Sequence, residues 1–230
     1  MTEEKISVII PTIQKCIPVL KKLVKLLSQD KVVSEILIIN NKPEDLCGFE
    51  SLKKVRILNQ KENLYVNASW NLGIETITND IFLIINDDIL PVKNLCTLIY
   101  QSEILNKKMT GLIGISPQFI NQHDRNSTSD IEIPQADEAH PEFLNLNKYQ
   151  NTGDWGSAFF GRKKNYYRIP NELKIIYGDN YLLFMNFQNA KMNYQIAGLP
   201  FNHIHSLSSA APEFWNIVQN DMQNASKYIR

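Results

Sequence analysis

The chain is 230 residues long, 43% apolar and 21% charged, with 24 basic side chains against 24 acidic ones. A chain of that length can bury a full core within one domain, and the composition is that of a globular protein, not a disordered or fibrous one. A formal net charge of zero excludes the basic field that nucleic acid or an anionic membrane surface would require.

Cys16, Cys47 and Cys96 form no Cys-x-x-Cys pair, which argues for a reducing compartment and against a disulfide scaffold. Cys16 and Cys96 read as small buried hydrophobes. No signal peptide is apparent and no apolar run approaches a membrane span. The expected location is therefore cytoplasmic, either free or peripheral to a membrane.

Ile6 to Ile10 reads as a buried strand closed by Pro11 and Thr12. Pro18 suits the first turn of a helix, and Val19, Leu20, Leu23, Val24, Leu26 and Leu27 keep helical spacing with lysines between them. Ile36 to Ile39 is a second buried strand with a turn-rich exit, and Val55 to Leu58 is a short third. A helix is expected over Val66 to Ile77, with Trp70, Ile74 and Ile77 inward. It leads to the chain's most informative stretch, Ile81 to Ile85, five apolar residues ending in Asn86, Asp87 and Asp88. Such a run is the signature of a central strand buried on both sheet faces. The order of elements predicts an α/β fold with a mostly parallel sheet and helices on both faces, as a single domain over 1–230.

Beyond Pro91, a helix is expected through Leu95, Leu98, Ile99, Ser102 and Leu105, then a strand at Gly111 to Ser116. From Asn121 to Thr152 the chain is polar and loses periodicity, which suggests a mobile loop over a substrate, with a plain mobile insertion as the alternative. A strand at Trp155 to Phe160, a helix at Tyr181 to Ala190, a strand at Tyr194 to Ala197 and a closing helix within 212–228 complete the pattern.

Carboxylates that follow a central strand stand at the crevice where open α/β sheets bind ligands. Adjacent acids repel each other unless a cation or a shared proton relieves them, and a divalent metal carrying a phosphate-bearing ligand suits them. A turn with solvated carboxylates is the plainer alternative.

The run Ile6 to Thr12, the second strand ending in Asn40 and Asn41, the segment from Asn63 to Asn71-Leu72-Gly73, and the strand entering Asn86-Asp87-Asp88 together resemble family 2 glycosyltransferases of the GT-A fold. The resemblance covers roughly residues 5 to 92. It implies transfer of a sugar from a nucleotide-diphosphate donor to a hydroxyl of a glycan acceptor in polysaccharide biosynthesis, with manganese or magnesium and with inversion. By this resemblance residues 1–91 form the nucleotide-sugar half and 92–230 the acceptor half. Pro11 and Thr12 would line the nucleotide pocket, with Asn40 and Asn41 where an Asp usually contacts base or ribose. Asn86 would take the ribose, Asp87 the spacer position, and Asp88 the metal. The Asn replacements keep hydrogen bonding and drop charge. Asn71 is either a pocket amide or a helix-surface one.

The general base implied by the resemblance is Asp179 in Gly178-Asp179-Asn180, with a helix N-cap as its plain alternative. Asp154 is the rival base. Its neighbour Trp155 is either an acceptor-stacking face or a core residue. His203 and His205 lie on one side of an extended segment. The resemblance implies that a C-terminal histidine such as one of these completes the metal site of Asp88, with a satisfied structural histidine as the plain alternative. Arg162, Lys163 and Lys164 read as a solvated basic face, with a diphosphate contact as the second option. A sugar nucleotidyltransferase would want a glycine-rich basic loop after the first strand, where this chain has Pro-Thr-Ile-Gln-Lys. A non-catalytic nucleotide- or glycan-binding domain is the remaining alternative.

Overall fold

The computed structural model describes residues 4–124, 130–135, 140–146, 153–204 and 212–229. Strand β1 (Ile6–Thr12) leads to helix α1 (Ile17–Gln29), then β2 (Val33–Asn40), β3 (Val55–Asn59), helix α2 (Tyr65–Thr76) and β4 (Ile81–Ile85). The chain continues through β5 (Ile89–Pro91), α3 (Leu95–Gln101), β6 (Thr110–Ile115), β7 (Ile120–His123) and β8 (Glu142–Leu146). The last elements are β9 (Ala158–Arg162), α4 (Gly178–Gln188), β10 (Met192–Ala197), β11 (Phe201–Ile204) and α5 (Trp215–Ala225).

The main sheet has the order β3-β2-β1-β4-β9-β6-β10-β8, and a smaller sheet has the order β5-β11-β7. Strands β3, β2, β1 and β4 run parallel, while β9 enters antiparallel between β4 and β6. Alternate residues of the same strands feed two cores. Val8, Ile10, Leu83 and Ile85 pack with α1 on one face. Ile9, Phe82 and Ile84 pack with Trp70 of α2 and Leu182 of α4 on the other. Both faces being covered is the reason the runs are apolar without alternation. Phe82 sits edge-on to Phe159 and to Tyr166, so Phe82→Ala should cost about 3–5 kcal/mol.

The first half matches expectation to within a few residues. Helix α1 carries its Pro in the first turn and buries Val19, Leu20, Leu23, Val24, Leu26 and Leu27. Four later readings need correction. Helix α3 stops at Gln101, because Ser102 Oγ bonds back to Ile99 O and Glu103 takes a left-handed φ of 57°. The 3-10 turn Ile104–Asn106 then buries Ile104 and Leu105. The polar stretch 121–152 is not simply loop, since it contributes to β7 and all of β8, which pairs with β10. The rest of it, 125–129, 136–139 and 147–152, lies outside the described residues. The strand expected from Trp155 starts only at Ala158, after a 3-10 turn at Gly153–Ser157. Arg162 is no solvated face, because it bonds Glu4, Asp80, Asn106 and the carbonyl of Leu105. Lys163 donates to Ile77 O.

Candidate active site

Strands β1, β2 and β4 release the chain on the same side of the sheet, and a cleft of about 360 Å³ opens there. Pro11, Thr12, Asn41, Asn86, Asp87 and Asp88 line it from those strand ends, and Asp154, Gly156, Asp179 and His203 from later elements. Carboxyl ends of parallel strands are where open sheets of this kind receive ligands.

Asp87 ties two strand exits together, accepting a 2.5 Å hydrogen bond from Thr12 Oγ1. Burial, with the charge of Asp88 added, pushes its carboxyl up to about 7. The backbone N–H of Asn86 donates to Ser157 O, joining β4 to the turn before β9. Asn41 accepts from Leu64 N–H and donates to Ser69 Oγ, which fixes the entry to α2.

Asp88 and His203 meet through the small sheet. The Ile204 N–H donates to Asp88 O, and His203 is paired in register with Ile89 on β5 and Gln122 on β7. His203 Nε2 lies 3.4 Å from Asp88 Oδ1, and both side chains are buried. Burial opposes the charged imidazole, yet the polar contact and charge of Asp88, with Asp154 adding, hold it above the usual histidine range. Gln122 Nε2 donates to Asp154 Oδ2 at 2.8 Å, so the same small sheet also orients that carboxylate. His205 lies outside the described residues.

Asp179 is not the N-cap of α4. Tyr177 holds that place with a left-handed φ of 64°, and Asp179 falls in the first turn. Its carboxyl is pushed up to about 6 by burial, partly offset by the N–H groups of Asn180, Asp179 itself and Gly156. Gly156 is required there, since a Cβ would stand 2.7 Å from Asp179 Oδ2.

The irregular segment before α4 is gripped from two sides. The N–H groups of Lys174, Ile175 and Ile176 all donate to the buried carboxylate of Asp221 on α5, at 2.9, 2.7 and 2.9 Å. Asn67 on α2 supplies the opposite partners. Its Nδ2 donates to Leu173 O and Ile176 O, and its N–H to Lys174 O. These side chains hold Ile175, Ile176 and Tyr177 against the cleft and thereby place Asp179.

Three expected site residues stand outside the cleft. Asn40 is buried and spends its amide on Gln14, Glu44 and Asn59, shaping the turn after β2. Asn71 brackets Ile169 through its N–H and C=O and accepts from Tyr166 Oη. Trp155 is fully buried, stacked on Phe159, with Nε1 donating to Tyr194 O. A Cβ on Gly114 would stand 2.2 Å from its ring, so it is a core residue and offers no face to an acceptor. The sequence reading missed Asn67, Gln122, Gly156 and Asp221. Only Gly156, two residues after Asp154, carried any local signal.

The family model described as Glycosyl transferase family 2 matches residues 7–169. No curated protein matches the chain. Among solved structures, S. aureus TarS 1-349 is similar with a TM-score of 0.58 and 13% identity, over 97% of this chain and 72% of that one. The same protein in complex with UDP-GlcNAc gives 0.60 and 12%, over 97% and 71%. GalNAc-T7, solved with UDP, GalNAc and Mn2+, gives 0.64 and 12%, over 95% of this chain and 48% of that one, so the chain spans about half of it. At such identities the likeness is one of fold, and the expected GT-A fold is borne out.

Proposed function

We propose, since this chain belongs to glycosyl transferase family 2, that its cleft moves a sugar from a nucleoside-diphosphate sugar to a hydroxyl of a glycan acceptor, with inversion. The observation that carries this reading is the presence in one cleft of two separate devices: a carboxyl at the head of α4 tuned to about 6, and a buried Asp88–His203 pair. A carboxylate near that value can accept a proton near neutrality. Asp179 takes the proton from the acceptor hydroxyl, and the Gly156 N–H keeps its carboxyl oriented. Asp154 is the second choice for that role.

The metal expected from the sequence fits this chain. Asp88 Oδ1 is buried without a well-formed hydrogen bond and faces His203 Nε2, so oxygen and imidazole donors stand side by side. Manganese accepts both donor types and magnesium chiefly the oxygen. Bound there, the cation would supply positive charge against the diphosphate leaving group. Among the described residues no group of three or more His, Cys, Asp or Glu is arranged to hold a metal, so ligands from the donor would complete the shell.

Pro11, Thr12, Asn41 and Asn86 line the donor end, with Asp87 bracing Thr12. Within a single domain, residues up to Pro91 supply most of the nucleotide-sugar side and later ones the acceptor side, with His203 reaching back to the donor's metal. No described helix is long and apolar enough to cross a membrane. TarS was solved with UDP-GlcNAc and GalNAc-T7 with UDP, so UDP-sugars head the donor panel.

The test is release of nucleoside diphosphate from a panel of nucleotide sugars with manganese, with and without saccharide acceptors. Acceptor-stimulated turnover of one donor, lost on chelation and in Asp88→Ala, is expected. Tight binding with no turnover would make the chain a binding module. Pyrophosphate formed from a sugar phosphate and a nucleoside triphosphate would make it a nucleotidyltransferase.

A further inference from the structure

Tyr65 opens α2 with a φ of 64°, the left-handed region that a bulky side chain avoids. Three polar contacts hold the entry to α2 there. Asn63 Oδ1 accepts the Tyr65 N–H at 2.8 Å, Ser69 Oγ donates to Tyr65 O at 2.5 Å, and the preceding Leu64 N–H donates to Asn41 Oδ1 at 3.2 Å. Strain that is over-determined in this way marks functional positions. Here its effect is to set an aromatic ring into the cleft, beside the exits of β1 and β2.

A second ring reaches the same place from the far end of the chain. Phe214, just before α5, lies edge-on to Tyr65 with centroids 6.1 Å apart and an interplanar angle of 86°. It also lines the cleft. Lys15, in the loop after β1, holds this segment down. Its Nζ lies 2.7 Å from Glu213 Oε1 and 5.2 Å from the Phe214 centroid. Lys174 Nζ stands 5.2 Å from the Tyr65 centroid. Residues 63–65, the loop after β1 and the start of α5 therefore converge on one aromatic corner, beside Pro11, Thr12 and Asn41.

We propose that Tyr65 and Phe214 form a corner platform for the base of the donor nucleotide, which lies flat on one ring and meets the other edge-on, and this makes the C-terminal segment part of the donor site. The idea rests on the nucleotide-sugar reading above. Two rings beside ammonium groups suit a flat, apolar-faced group with an anionic tail, which describes a nucleobase on its diphosphate. Stacking accepts every base, so this corner selects the chemical class and leaves the choice of base to polar contacts.

The test titrates UDP, GDP and ADP, each with manganese, into the full chain by calorimetry, with pyrophosphate and manganese as a probe that lacks a base. The variants are Phe214→Ala, Tyr65→Phe and Tyr65→Gly, the last leaving the backbone at ease because φ 64° suits glycine. Phe214→Leu replaces Phe214→Ala if the latter melts early. Wild type is expected to bind at least one of the nucleotides. Phe214→Ala and Tyr65→Gly should weaken that binding by about tenfold, with Tyr65→Phe close to wild type and pyrophosphate affinity unchanged throughout. Nucleotide affinity unaltered or raised in Phe214→Ala and Tyr65→Gly would overturn the platform and leave the donor reading intact. So would an equal fall for pyrophosphate, because the effect would then not concern the base. Wild type that binds none of the nucleotides would remove the donor reading itself, and the platform with it.

Discussion

At one end of the cleft, Pro11 and Thr12 close β1, and Asn41 and Asn86 to Asp88 follow directly on β2 and β4, both buried parallel strands. At the other, Asp154, Gly156 and Asp179 stand on a 3-10 turn and a helix start. The proposed donor end is positioned by the sheet itself, whose ladder fixes every strand exit against its neighbours. The end proposed to hold the general base is positioned by side chains, Asn67 donating to carbonyls and Asp221 accepting from N–H groups of a segment with no ladder of its own. Positions set by a ladder survive the loss of one side chain, whereas positions set by two clamps do not. Conservative substitutions at residues that touch no substrate should therefore damage the base end more than the donor end.

Gly156→Ala is the largest such effect. Its Cβ would press on Asp179 Oδ2 from 2.7 Å, and misplacement of a catalytic group by about 1 Å costs on the order of 100-fold in kcat. The donor KM should stay near wild type, and steady-state kinetics read both. Asp221→Asn comes next, because a neutral amide offers one oxygen where a carboxylate took three N–H groups. A loss of about 1–3 kcal/mol in denaturant unfolding is expected, with kcat down roughly tenfold from looser placement of Asp179. An unchanged kcat in the folded variant would break the contrast between the two ends.

The pH dependence sharpens the contrast further. In its proposed role as base Asp179 must be ionised, so kcat/KM should rise with pH to a plateau, with half its maximum at about 6. Stability moves the other way. The fold favours the neutral carboxyl, so this group's stabilising contribution is complete below the ordinary carboxylate pKa and is lost as pH rises through about 6. Asp179→Asn should flatten both profiles. The smallest kinetic effect belongs to Trp155→Phe. It should lower stability by about 2 kcal/mol through a poorer fill and the lost indole bond to Tyr194 O, with acceptor KM unmoved.

The same division decides what the sequence disclosed. Buried parallel strands have a local signature, so β1, β2 and β4, the α1 face and the exits bearing Thr12, Asn41 and Asp88 were legible. Asp179 and His203 were singled out by residue type and order, and they line the same cleft as Asp88. Asn40, Asn71 and Trp155 were misplaced because an amide or an indole looks the same whether it meets a ligand or a backbone carbonyl. Arg162 was misread for a related reason, since its partners Glu4, Asp80 and Asn106 are remote in sequence. β8 escaped notice because it is a five-residue edge strand, Glu-Phe-Leu-Asn-Leu, whose apolar residues do not alternate cleanly and include the exposed Leu144. Asn67 and Asp221 act on main-chain groups of a distant segment, and nothing in their own neighbourhoods marks them.

The most direct test of the division of labour measures donor binding and turnover side by side in Asp88→Ala and Asp179→Asn. Asp179→Asn should bind the nucleotide sugar within about twofold of wild type while its kcat falls roughly 1000-fold. Asp88→Ala should lose manganese-dependent donor binding. Wild-type turnover by a correctly folded Asp179→Asn would contradict the account and move the base elsewhere, with Asp154 the first place to look.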